Sequence, residues 1–244
     1  MSILLITGTS TEVGKTVVTA AVAALALDRG SGVAVVKPAQ TGVRPGEPGD
    51  LAEVARLAPG SVTAEFTRYP DPLSPEAACA VAGGDPLRLG DTARRIAELA
   101  GQHPLVLVEG AGGLLVRYAD DGWTLADLAR ALGAPVLVVV AAGLGTLNHT
   151  ALTLEVLAGR GIQPAGIVIG SWPADPGLAE RTNVRGLETA AGRPLAGALP
   201  TGAPHAVDFL SVARHGLSPA FGGSFDAADF HQTAAGAPPG RTRP

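Results

Sequence analysis

The sequence predicts an α/β protein built on a doubly wound, mostly parallel sheet with helices on both faces. Three observations point there. Short, continuous apolar runs recur along the chain, as strands buried on both faces require. Segments of helical length lie between them and stop at Gly or just before Pro. The length of 244 residues suits one α/β core and is short for two. In chain order, strands are expected over 3–7, 33–37, 105–109, 136–141, 165–169 and 195–198. Helices are expected over 15–29, ended by Gly30, over 50–57, ended before Pro59, and over 88–100, ended by Gly101. Three more follow over 124–132, 146–159 and 178–191, stopped by Gly133, Gly159 and Gly192. Such an alternation gathers ligands outside the carboxyl ends of the strands. No repeat or internal boundary interrupts it, so residues 1–222 read as a single domain. From Gly222 the pattern fades into Gly, Ala, Pro and polar residues, and 223–244 are expected to form a disordered tail.

Composition excludes several classes. Hydrophobic residues make up 46% of the chain, yet no apolar run approaches the roughly 20 residues of a membrane span. The N-terminal apolar run lacks a basic flank and leads straight into a glycine loop, so it reads as a strand and not as a signal peptide. A net charge of −4 without a basic cluster gives no footprint for nucleic acid. Cys79 is the only cysteine, so no internal disulfide can form, which fits a reducing cytoplasmic location. Its setting among alanines makes it a packing residue rather than a nucleophile. The histidines His103, His205, His215 and His231 show no metal spacing.

The chemistry concentrates at strand ends. After Ile3-Leu4-Leu5-Ile6 comes Gly8-Thr9-Ser10-Thr11-Glu12-Val13-Gly14-Lys15-Thr16, a glycine-bounded loop opening a helix. This is a P-loop, one residue longer than the usual spacing, and it implies a P-loop NTPase-type sheet. Backbone N–H groups at the helix start attract phosphate oxygens, Lys15 can reach the outer phosphates, and the Thr16 hydroxyl can ligate magnesium. The second strand runs into Lys37, a cation at the ligand edge that suits a transferring phosphoryl group or an anionic substrate, with Thr41 nearby as a hydroxyl donor. Leu105-Val106-Leu107-Val108 ends in Glu109-Gly110-Ala111-Gly112-Gly113, where a carboxylate can meet the magnesium of a nucleotide. Asp50 opens a helix and by itself reads as an N-cap. With Thr16 and Glu109 it would complete a sufficient magnesium set, since that ion keeps several waters. Gly143-Leu144-Gly145-Thr146-Leu147-Asn148-His149 places glycines before a helix start, a second anion site suited to a carboxylate. His149 there is more simply structural than a base. Trp172 could flank a nucleotide base or belong to the core.

Taken together, the extended P-loop, Lys37-Pro38 with Thr41, Asp50, Glu109-Gly110-Ala111-Gly112-Gly113 and Leu144 to His149 resemble the dethiobiotin synthetases, over roughly residues 1–215. The resemblance implies a biotin-pathway ligase that joins 7,8-diaminononanoate and CO2 with hydrolysis of ATP, or another nucleoside triphosphate, to diphosphate and phosphate. It implies a carbamate on one amine, its activation as a carbamic-phosphoric anhydride, and ring closure by the second amine. It assigns Lys15, Lys37 and Thr11 to catalysis, and Thr16, Asp50 and Glu109 to magnesium. Thr11, Glu12, Val13, Gly14, Lys15, Thr16 and Val17, together with Glu109, Gly110, Ala111, Gly112, Gly170, Ser171 and Pro200, would bind the nucleotide. Thr41 would hold the diamine, and in a homodimer the helix-start amides of Gly145, Thr146, Leu147 and Asn148 would receive its carboxylate from the neighbouring subunit. Glu12 receives no firm role.

Two departures qualify the resemblance. Gly170 stands where many members have a base-reading asparagine, which predicts relaxed base choice, with CTP and other triphosphates competing with ATP. Asn183 stands where some relatives place a substrate-contacting tyrosine. Two other readings compete. An amidotransferase acting on cobalamin precursors would need a glutaminase domain for which the chain has no room. A partitioning-type P-loop switch ATPase usually has a second lysine inside the loop, where this chain has Ser10, Thr11 and Glu12.

Overall fold

The structure is a computed structural model that describes residues 2–235. Its seven strands are β1 (Ser2–Gly8), β2 (Val33–Thr41), β3 (Val62–Tyr69), β4 (Leu105–Gly113), β5 (Val136–Val140), β6 (Pro164–Trp172) and β7 (Gly197–Pro200). They form one sheet in the order β3-β2-β4-β1-β5-β6-β7, and every pairing is parallel. β1 lies between β4 and β5, where successive crossovers leave in opposite directions. Its carboxyl end is therefore the switch point of the sheet, and the P-loop sits there.

The apolar runs are continuous because each strand feeds two cores. Leu5, Val36, Val108 and Val138 pack on one face, while Ile6, Val35, Leu107 and Leu137 pack on the other. The second face is covered by α1 (Lys15–Asp28), α2 (Asp50–Leu57) and α8 (Phe209–Gly216). The first face is covered by α4 (Leu89–Gln102), α5 (Leu125–Leu132), α6 (Thr146–Gly159) and α7 (Leu178–Ala191). Among the described residues no helix is long and apolar enough to cross a membrane.

The expected elements are present with small shifts at their ends. Helices 50–57, 146–159 and 178–191 have the expected bounds, whereas β2, β4 and β6 run three or four residues further than expected. Four elements were not expected. β3 is the edge strand, and its Ala64-Glu65-Phe66-Thr67-Arg68 stretch is only half buried, so it lacks the apolar run that marks the inner strands. The short α3 (Pro75–Ala82) starts from the Ser74 cap. α8 is also short. The fourth corrects the expectation of a disordered segment from 223. Phe225 is buried, and α9 (Ala227–Ala235) packs against α7, with Phe230 set on Trp172. Phe225 and Phe230, spaced among small residues, dock this segment, although its composition looked unstructured. Residues 236–244 of the expected tail lie outside the described residues.

Candidate active site

The loop between β1 and α1 is shaped by two close backbone approaches. Gly14 has φ 94°, and a Cβ there would stand 2.7 Å from the Gly170 carbonyl oxygen. A Cβ on Gly170 would in turn stand 2.0 Å from the Val13 carbonyl oxygen. The P-loop and the end of β6 thus touch backbone to backbone, and both positions demand glycine. Glu12, at φ 57°, is the one non-glycine residue with positive φ among the described residues. Such a backbone costs on the order of 1 kcal/mol and marks a loop held by its surroundings.

Beside this loop lies a cavity of about 950 Å³. It is lined by Thr11, Glu12, Gly14, Lys15, Thr16 and Val17 of the loop and α1, and by Lys37 and Thr41 of β2. Asp50 of α2 and Glu109, Ala111 and Gly112 of β4 complete the expected part of the wall. Residues from five elements far apart in sequence meet here because β1, β2 and β4 end at the same edge.

A buried charge cluster forms the floor. Lys37 does not surface at the strand end: it is 3% exposed inside β2. Its ammonium donates to Glu109 Oε1 at 2.8 Å and to the Gly110 carbonyl at 3.2 Å, and it lies 2.6 Å from Asp50. Burial opposes its charge, but Glu109 and Asp50 outweigh burial and hold its pKa above the ordinary lysine value. Glu109 is 1% exposed and also accepts from the Thr16 hydroxyl at 2.9 Å. Asp50 is the first residue of α2, behind the cap position Gly49, and makes no cap bond. Its carboxylate is aimed at Lys37, which replaces the simple N-cap reading. Lys15 donates to the Ser10 carbonyl at 3.1 Å. Burial, and then the nearby Lys37 charge, pull its pKa below the ordinary lysine value.

The donor set suits a magnesium ion. Among the described residues Glu109 Oε2 is buried without a hydrogen-bond partner, an orphan that a hard cation would satisfy. One hydroxyl and two carboxylates make a small set, as that ion prefers.

Other expected residues lie elsewhere. Val13 is buried under the loop, and Gly110 lies behind the cavity wall. Gly170, Ser171 and Pro200 sit at the ends of β6 and β7, on the far side of Gly14, with the Ser171 and Thr201 hydroxyls 2.8 Å apart. Trp172 meets Phe230 edge to face at 5.0 Å and packs against the core, half-buried and outside the cavity of the lysines. Gly145, Thr146, Leu147 and Asn148 start α6 outside the cavity of the lysines. Around them, Leu144 is 94% exposed, and Leu115 and Leu152 are also exposed. A shallow groove of about 400 Å³ runs between the segment after β4 and the outer face of α6, lined in part by Leu115, His149 and Leu152.

Three supporting residues were not singled out. Gln40 accepts the Asp50 backbone N–H at 2.8 Å. Tyr118, fully buried and stacked on Trp123 at 4.5 Å, accepts the Ala111 N–H at 2.8 Å and fixes the glycine run after Glu109. Burial pushes its phenol pKa up, so it remains a neutral acceptor. Arg68 holds the loop ahead of Asp50. Only Tyr118 had a sequence signal, an aromatic residue just past the glycine run. Asn183, noted only as a departure, is buried and donates to the Ala142 and Gly143 carbonyls at 2.8 and 2.9 Å, pinning the turn that opens α6.

Comparison with known proteins gives the family. The family model described as AAA domain matches residues 2–204. The chain is 60% identical over 234 residues to the ATP-dependent dethiobiotin synthetase BioD of Parafrankia sp. (strain EAN1pec), covering 95% of this chain and 98% of the relative. It is 61% identical to the protein of the same description from Saccharopolyspora erythraea, covering 91% and 98%. Among solved structures, chloroplast FtsY from Physcomitrella patens aligns with a TM-score of 0.55 at 20% identity, covering 96% of this chain and 64% of that one. The MinC:MinD complex of Aquifex aeolicus aligns at 0.53 with 14% identity, covering 87% and 86%. At that identity the structural matches speak for the sheet architecture alone. The near-full-length relatives speak for more: the chain belongs to the ATP-dependent dethiobiotin synthetase family.

Proposed function

We propose that the protein closes the cyclic urea of dethiobiotin from 7,8-diaminononanoate, CO2 and a nucleoside triphosphate, at the cavity between Lys15 and Lys37. The observation that supports this most directly is the buried Lys37, held by Glu109 and Asp50 beside the P-loop lysine. A carbamate facing a γ-phosphate brings two anions together, and fixed cations in a partly dry site lower that cost. One amine takes up CO2 and releases a proton, giving the carbamate. A carbamate oxygen attacks the γ-phosphorus, and the nucleoside diphosphate leaves. The second amine then attacks the carbamic carbon and expels phosphate. Lys15 serves the outer phosphates, Lys37 the carbamate and the transferred group, and the Thr11 and Thr41 hydroxyls orient the diamine end. Thr16, Asp50 and Glu109 would hold magnesium, which supplies charge neutralisation on the phosphates.

The exposed Leu115, Leu144, Leu147 and Leu152 around the start of α6 support a homodimer. Its second copy would bring the Gly145–Asn148 amides toward the carboxylate of the diamine. The Gly170 backbone contact supports relaxed base choice, because no side chain can stand there to read a base. The test is incubation with the diamine, bicarbonate, magnesium and each of ATP, CTP, GTP and UTP, with dethiobiotin read by mass. Absence of product with every nucleotide rejects the function. A strong ATP preference rejects only the base reading.

A further inference from the structure

We propose that Arg68, together with Gln40, is a positioning device that sets the Asp50 carboxylate in the site. This rests on the metal assignment made above for Asp50. The loop over 42–49 that leads to Asp50 is rich in Gly and Pro and largely exposed; only its start is tied to the end of β3, where the Gly42 and Val43 N–H groups donate to the Asp71 and Tyr69 carbonyls at 3.0 and 3.4 Å. It closes on itself only through a turn in which the Glu47 N–H donates to the Arg44 carbonyl and the Glu47 carboxylate accepts the Arg44 N–H. Arg68 grips both ends of that turn: its guanidinium donates to the Glu47 carbonyl at 2.6 Å and to the Arg44 carbonyl at 3.2 Å. The guanidinium is itself held by a two-point fork to Glu65, at 2.7 and 2.8 Å. Gln40 is the register partner of Arg68 across β2 and β3, and its amide oxygen takes the Asp50 N–H.

Two neighbouring register positions on the sheet therefore hold the two halves of one loop. The backbone of Gly49 lies against both, since a Cβ there would stand 2.7 Å from Gln40 Oε1 and 3.0 Å from Arg68 Nη2. A rigid strand edge is a precise place from which to aim a carboxylate that follows an exposed loop. Lysine at 68 could not reproduce this, because one ammonium cannot fork to Glu65 while donating to two carbonyls.

The experiment uses Mn2+ as the probe, titrated by electron paramagnetic resonance into the full-length protein with the β,γ-imido analogue of ATP. Arg68→Ala is expected to weaken Mn2+ binding about 10- to 100-fold. Arg68→Lys should recover only part of the loss. In an Asp50→Ala background, Arg68→Ala should cost nothing further, because its effect passes through Asp50. Gln40→Met, which keeps the volume and removes the acceptor, gives the same comparison should Arg68→Ala unfold. Unchanged Mn2+ affinity in Arg68→Ala, or an equal loss with and without Asp50, overturns the proposal. So does a wild-type protein that takes up no Mn2+ beside the nucleotide. Dethiobiotin formation, measured separately, tests the reaction and leaves this comparison intact whichever way it falls.

Discussion

Removing the Lys37 charge should damage stability and turnover together, and the structure indicates how much of each. Lys37 and Glu109 are both almost wholly buried, whereas the Asp50 side chain is 36% exposed. In Lys37→Met, water can therefore solvate Asp50 but not Glu109, whose only remaining donor among the described residues is the Thr16 hydroxyl. Stranding one member of a buried ion pair costs about 3–5 kcal/mol. For a domain of this size each kcal/mol lowers Tm by about 2–4 °C, so the loss should be roughly 6–20 °C. Turnover should fall by about 100- to 1,000-fold, the usual effect of losing one donor to developing charge. Thermal unfolding by circular dichroism reads the first quantity, and dethiobiotin formation reads the second. The double variant Lys37→Met/Glu109→Gln should regain much of the Tm, since no buried charge is left stranded, without regaining turnover. A single variant that melts like the wild type and turns over normally would show that the cluster is incidental.

Lys15 should behave differently. Its one hydrogen bond is to a backbone carbonyl, and burial and Lys37 both disfavour its charge. Lys15→Met should therefore abolish turnover without lowering Tm. Its lowered pKa means the unfolded chain holds that proton more tightly. Wild-type stability should accordingly gain a contribution as pH rises from that lowered pKa toward the ordinary lysine value, a gain absent from Lys15→Met in alkaline melts. Gly170→Asn should raise KM for every nucleotide rather than create adenine specificity, because its Cβ must displace the Val13 carbonyl; selective improvement with ATP would contradict this. Leu152→Glu, on the exposed face of α6, should yield monomers by analytical ultracentrifugation and raise KM for the diamine, and a dimer of normal activity would remove α6 from the interface.

Much of this architecture was legible from the chain because its signals are local. The P-loop announces itself through Gly14, Lys15 and Thr16, and Glu109 through four apolar residues that end at a carboxylate. What escaped notice depends on pairing between distant segments. β3 is an edge strand, so it needs no apolar run on both faces, and its Glu65 and Arg68 look like ordinary surface charges. Gln40 and Arg68 become meaningful only once the sheet register sets them opposite each other. Asp50 looked like a helix cap until Lys37, thirteen positions earlier, proved to be its partner. Asn183 and the turn it holds lie forty residues apart. The segment from 223 through α9 appeared unstructured because composition averages over small residues and hides where Phe225 and Phe230 fall.

Charge balance leads to one more expectation. The cavity wall presents Lys15 and Lys37 against Glu12, Asp50 and Glu109, so the protein itself contributes one negative charge in excess where a triphosphate must bind. At an effective dielectric of about 20, two like charges about 4 Å apart repel by about 4 kcal/mol. The carboxylates in the site would thus oppose the very ligand its P-loop is shaped to hold. The conflict disappears if a divalent cation sits on Thr16, Asp50 and Glu109, satisfying the orphan Glu109 oxygen and joining the phosphates to the carboxylates. Stripping divalent ions with a chelator should therefore weaken nucleotide binding itself, by about 100-fold or more in calorimetry, a loss of about 2.7 kcal/mol. Asp50→Asn should bind metal-free nucleotide better than the wild type does, because one repelling charge is gone, while gaining less from added magnesium. Equal nucleotide affinity with and without metal, in both proteins, would mean that these carboxylates serve Lys37 alone.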